Sequence, residues 1–220
     1  MLREEPSFER FELPFYVSPS REITMAIAPL IRFQGDTMAS AFAKLLDDWE
    51  ESLSAVNSNL VDLFLARVVY FDFAVINLQP YVRFTRNWDR PLYVPLYTAA
   101  QNVDTRLPEP VRKFLCRFVG TTHDCLIISG FSRLWRYVKD IIEESDVPPG
   151  SYDYWKDAVS VYKTSYGSSL FLNSDLACGW HCFELHKLRL VGDFPNFVYD
   201  FFDLALSERE VREWFYKDLF

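Results

Sequence analysis

The chain has 220 residues, 50% of them hydrophobic, with twenty Phe, twelve Tyr and six Trp but only seven Gly, and its formal net charge is −8. A chain of this length buries about 70% of its unfolded surface, so core volume is no constraint. So few glycines leave little backbone for phosphate-cradling loops or tight hairpins, which points to an all-α fold, and the acidic total is a poor match for a dedicated nucleic-acid binder.

The charge is unevenly spread along the chain. Positions 83–139 hold ten basic and four acidic residues; six basic and twelve acidic residues precede them, and seven basic and fifteen acidic residues follow. Charge blocks of this kind bear on partners and assembly rather than on fold.

In chain order, residues 1–17 mix acids with Phe8, Phe11, Phe15 and Tyr16 around Pro6 and Pro14 and read as an extended arm. Ser18 and Pro19 offer an N-cap and first helical position for a helix toward Ile31, which Pro29 shortens. Met38, Phe42, Leu45, Leu46, Trp49, Leu53 and Val56 recur at three and four and predict an amphipathic helix. After the polar turn Asn57, Ser58 and Asn59, residues 60–78 are apolar all round, as in a helix central to a bundle. Asp62, Arg67 and Asp72 interrupt this window. An ionised residue at the bilayer centre costs about 2.5–3.5 kcal/mol, so a buried helix fits better than a membrane span, and no membrane partner is expected.

Pro80, Pro91 and Pro95 predict irregular structure over 79–95. Helices are predicted over 96–106, 110–119, 132–144, 152–166, 175–190 and 196–206. Ser207 with Glu210 fits a capping box for a last helix toward Phe220. Pro148, Pro149 and Gly150 form the strongest breaker, a loop at 147–151 within one domain.

Cys178, His181, Cys182, Glu184 and His186 lie in the run CGWHCFELH. On a helix Cys178, Cys182 and His186 would be successive i, i+4 neighbours, candidate zinc ligands with Cys116, His123 or Cys125 as a distant fourth. Such a straight ridge spans about 12 Å, too far for one ion, so small buried thiols and satisfied histidines are the simpler reading. Thiol catalysis would need His123, His181 or His186 as a base, and no local signature surrounds any cysteine. Ser129 lacks the preceding glycine of a nucleophile elbow. The polar, acidic first twelve residues do not read as a secretory leader, which makes reduced thiols and a cytoplasmic setting the expectation.

In the basic middle, Arg83, Arg86, Arg90, Arg106, Arg112, Lys113, Arg117, Arg133, Arg136 and Lys139 alternate with rings, a combination compatible with single-stranded nucleic acid. The simpler reading pairs them with the acidic flanks, within one subunit or between copies. Aromatic side chains beyond the needs of a core add a mild argument for a partner surface.

The runs VVYFDF, LQPYVRF, PLYVPLYTAA and LPEPVRKFL between Leu65 and Phe118 give the chain an overall texture that resembles coat proteins of partitivirus-type double-stranded RNA viruses. The resemblance implies a helix-rich, non-enzymatic shell protein that forms dimers and then closed particles around RNA. It transfers no functional residue.

These readings predict an all-α, single multi-helix domain over 18–220 behind an N-terminal arm. The expected role is a structural, self-associating protein, with no cofactor and a second copy as its partner. RNA is a further partner through the weakly indicated surface of Arg83, Arg86, Arg90, Arg112, Lys113, Arg117, Arg133 and Arg136. The alternatives are an intracellular helical adaptor binding another protein, and a zinc- or thiol-dependent enzyme.

Overall fold

The structure, a computed structural model, describes residues 28–76, 78–84, 91–96, 103, 105–123, 126–128, 151–164, 168–182 and 187–207. After a 3-10 helix (Ala28–Phe33), the Thr37 hydroxyl accepts the Ser40 N–H at 3.2 Å and caps α1 (Met38–Val56). The helix buries Phe42, Leu45, Leu46, Trp49 and Leu53 along one stripe, as their spacing predicts. Asn57 ends it: its backbone N–H donates to Leu53 and its side-chain oxygen accepts the Asn59 N–H at 3.0 Å. The chain turns at once into α2 (Leu60–Arg67). There the expected long helix stops, because Val68, Val69 and Tyr70 lead into β-branched and aromatic residues that form a strand.

The all-α expectation is overturned. Among the described residues nine strands, β1 (Phe71–Ile76), β2 (Gln79–Phe84), β3 (Leu92–Pro95), β4 (Thr122–His123), β5 (Leu126–Ile128), β6 (Val159–Thr164), β7 (Ser169–Leu172), β8 (Ala177–Cys182) and β9 (Lys187–Asp193), form one sheet in chain order. Each strand runs antiparallel to its neighbours. Residues 79–95, read as irregular, supply β2 and β3. Pro80 stands near the start of its strand and Pro95 ends one, where a missing N–H does least harm. The helix read over 152–166 is the short α4 (Ser151–Trp155) followed by β6, and the helix read over 175–190 is β8 and β9. Where residues of 96–106 are described they form no helix: Leu96 lies in a bend, Val103 in a bridge, and Thr105 and Arg106 in a turn.

Scarce glycine does not prevent the turns. Leu78, between β1 and β2, and Leu176, between β7 and β8, both take the left-handed φ of 63°. The Asn173 side chain braces the second turn by accepting the N–H groups of Asp175 and Ala177 at 3.0 and 2.9 Å.

Besides α1, two further helices were legible near their observed bounds: α3 (Glu109–Phe118) and α5 (Phe194–Leu206), the latter capped by Asp193 accepting the Asn196 N–H at 2.9 Å. With α1 and α2 they cover one face of the sheet. Trp49 of α1 meets Phe84 of β2, Phe64 of α2 and Phe118 of α3 at ring separations of 6.0, 5.8 and 5.6 Å. On α5, Phe202 meets Phe64 at 5.1 Å and Phe118 at 5.7 Å, and Phe197 meets Tyr162 of β6 at 4.9 Å. Arg67 ties α2 to α5 through Asp203 at 2.8 Å. The opposite face carries a smaller cluster of Trp155, Ala158, Phe171 and Leu188.

The arm 1–17, the helix over 132–144, the break at 147–151 except Ser151, and the last helix beyond Ser207 lie outside the described residues. Among the described residues no helix is long and apolar enough to cross a membrane.

Two substitutions test this packing. A Cβ at Gly179 of β8 would stand 2.7 Å from the Trp155 ring, so Gly179→Ala forces the indole off the sheet. The expected loss is about 1–3 kcal/mol, read as a lower urea midpoint at unchanged slope; an unshifted midpoint contradicts the contact. Leu78 is 48% exposed and sits in a conformation costing about 1–2 kcal/mol for a side chain with a Cβ. Leu78→Gly is expected to stabilise the protein by about 0.5–1 kcal/mol in the same assay, net of the entropy that glycine adds to the unfolded chain.

Candidate functional site

The α3 helix is amphipathic, burying Val111, Phe114, Leu115 and Phe118 and leaving Glu109, Arg112, Lys113, Cys116 and Arg117 on its other side. Glu109, Lys113 and Arg117 form one i, i+4 row and Arg112 and Cys116 a second. Because Phe118 is held beneath Trp49, this side of α3 faces the flank of α1 across a groove. Arg32, Asp48, Ser52 and Leu96 complete the lining of this open groove, whose volume is about 730 Å³.

Its four cations differ in how they are held. Arg32 pairs with Asp48 and lies 4.4 Å over the Phe33 ring. Lys113 bridges Glu51 at 2.7 Å and Glu109 at 3.4 Å. The hydrogen bond between Lys113 and Glu51, with their mutual attraction, holds the carboxyl below and the ammonium above their usual values. Both groups are exposed, so the pair contributes little to stability. Arg117 donates to the Pro95 carbonyl at 3.0 Å and lies 5.3 Å over Trp49. Arg112 differs from these three. Its Nε is buried without a hydrogen-bond partner, and no carboxylate of the described residues pairs with its guanidinium.

The structure thus divides the predicted basic surface. Arg112, Lys113 and Arg117 converge, joined by Arg32, which sequence reasoning missed because it precedes the basic block and no periodicity links it to α3. Arg83 lies elsewhere. Its neighbours Val82 and Phe84 point into the core beneath the helices, so Arg83 occupies the other face of the sheet. There it grips Asp72, its cross-strand partner, with Nε on Oδ1 at 2.7 Å and a second contact to Oδ2. That pairing raises the guanidinium pKa. Arg86, Arg90, Arg133 and Arg136 lie outside the described residues.

Among the described residues the rings are largely inside the core: Trp49, Phe33, Phe64, Phe71, Phe114, Phe118, Phe194, Phe201 and Phe202 are all fully buried. Among the described residues, Tyr154 is the only aromatic of the exposed large hydrophobics.

From Cys178 to Cys182 this run is corrected from helix to strand, since these residues lie in β8. At about 3.3 Å per residue the Cα atoms of Cys178 and Cys182 stand ~13 Å apart along β8. Cys178 is buried in the main core, and burial raises its thiol pKa, which disfavours the thiolate that a metal requires. For Cys182 only the backbone is described, and His186 and Cys125 lie outside the described residues. His123 and His181 are buried, the latter stacked on Phe171 at 6.2 Å. Among the described residues no group of three His, Cys, Asp or Glu side chains is placed to hold a metal ion. No family model, curated protein or solved structure matches the chain.

The two described thiols differ in environment, Cys116 exposed on the groove and Cys178 buried. Iodoacetamide at neutral pH, followed by peptide mapping, is expected to modify Cys116 in the native protein and Cys178 only after unfolding. Native labelling of Cys178 at a similar rate contradicts the placement of β8.

Proposed function

We propose that this protein acts by binding rather than by catalysis, and that the groove between α1 and α3 receives an acidic segment of a second copy, making the chain a self-associating structural protein. The observation that carries the reading is the convergence of Arg32, Arg112, Lys113 and Arg117 on one groove in a chain of net charge −8. The remainder of the chain supplies the complementary sign, including exposed Asp47, Glu50, Asp62, Asp153 and Asp157. Charge complementarity of this kind sets partner choice and association rate more than raw affinity.

Two features favour an acidic protein segment over RNA. Asp48 and Glu109 line the same groove and repel a continuous polyanion. Single-stranded nucleic acid also wants rings to stack on, and the rings nearest the groove, Trp49 and Phe118, are fully buried. Assembly of copies into larger particles is the role that the coat-protein resemblance implies, and groove docking is the proposed contact.

Size-exclusion chromatography with light scattering tests this. Wild type is expected to form dimers or larger species at low salt and to dissociate toward monomer near 1 M salt, where the screening length falls to about 3 Å. The double reversal Arg112→Glu, Lys113→Glu is expected to remain monomeric in both, with an unchanged circular dichroism spectrum as the folding control. A wild type that is strictly monomeric at low salt and high concentration overturns the proposal, as does one that binds single-stranded RNA at low salt without associating with itself.

A further inference from the structure

We infer that the groove contains a subsite for one small oxyanion, with the guanidinium of Arg112 as its bidentate anchor. The inference rests on the groove reading above and specifies its chemistry. Arg32 and Lys113 already have carboxylate partners, and Arg117 is engaged by a carbonyl and a ring. Arg112 has no carboxylate partner among the described residues and a buried Nε with nothing to donate to. A buried donor without an acceptor is costly. A planar guanidinium presents Nε and one Nη as a fork matched to two oxygens of a carboxylate or phosphoryl group. Arg112 lines the groove, and an oxyanion bound by its guanidinium would supply the missing acceptor and neutralise the charge in one step.

The neighbouring charges limit what fits. Asp48 and Glu109 partly offset the four cations, so the lining is net positive by two, enough for one anionic group and poor for a string of them. The acidic segment of a second copy would therefore enter by a single Asp or Glu carboxylate. Free anions with the same geometry compete for the same place.

Cys116 reports on the subsite. It stands one helical turn beyond Arg112 on the same side of α3 and carries an exposed thiol. The measurement is the iodoacetamide rate at Cys116, assigned with Cys116→Ser as control and taken on dilute monomer at constant ionic strength. Inorganic phosphate and glutarate are the two ligand arms, and chloride is the reference. Both oxyanions are expected to slow labelling saturably, with half-effect on the order of 1 mM, the range of a weak single-site ligand. Arg112→Met is expected to weaken that protection about tenfold or more, as loss of a charged hydrogen-bonding group does. Arg112→Lys, which keeps the charge and loses the fork, is expected to recover little of it.

Protection by phosphate alone assigns the subsite to phosphoryl groups, and protection by glutarate alone assigns it to carboxylates; each supports the inference for its own class. Equal slowing by chloride, or protection unchanged in Arg112→Met or fully kept in Arg112→Lys, overturns it. Failure here leaves salt-dependent self-association standing or falling on its own chromatography, so the two claims are separable.

Discussion

The indole of Trp49 lies within 5.6–6.0 Å of three other rings, Phe64, Phe84 and Phe118, each from a different element, and its contacts set α1 against α2, α3 and the sheet. Edge-to-face pairs of this kind contribute about 0.5–1.5 kcal/mol each beyond the area they bury. Here they also act as a geometric constraint. The cluster of Trp49, Phe64, Phe118 and Phe202 joins α1, α2, α3 and α5 to one another, and Phe84 joins them to the sheet. Removal of any one ring would loosen several interfaces together, since cores transmit local misfit rather than absorb it.

The groove is a consequence of that clamp. With Phe114 and Phe118 drawn inward, the helical period of α3 leaves Arg112, Lys113 and Arg117 facing α1, and Arg32 joins them in the lining. Arg117 spans both regions, its guanidinium over the buried indole while it also lines the groove. Interior packing and surface electrostatics thus meet at one side chain. The same inward draw keeps aromatic side chains out of the groove, whose lining residues are mostly polar or charged and suited to exchangeable contacts sensitive to ionic strength.

Some of this could be read from the residues alone. Met38–Val56 is legible because Phe42, Leu45, Leu46, Trp49 and Leu53 keep a helical interval over about three turns, and Asn57 to Asn59 is an unambiguous polar stop. Arg112, Lys113 and Arg117 are legible as a group for the same reason, since one helix sets their mutual position. The sheet was missed where two periods coincide. Residues four apart share a face in a helix and in a strand alike, so Cys178 and Cys182 satisfied either template. Long-range pairing with β7 and β9 settled the choice. An all-round apolar run such as 60–78 is equally ambiguous, and it divides into α2 and β1 where β-branched and aromatic residues begin to dominate. The inference from few glycines to no hairpins failed because Leu78 and Leu176 take left-handed turns themselves.

The claim on which the rest stands is that α1 and α3 are locked into one cooperative unit by the Trp49 cluster. Native-state hydrogen exchange measures this most directly. Amides around Trp49 in α1 and around Leu115 in α3 are expected to share one opening free energy, equal to that of global unfolding, and to fall together in Trp49→Leu. If α3 instead opens at a distinctly lower free energy while α1 stays protected, the two helices are independent, and the groove between them is not the fixed feature described.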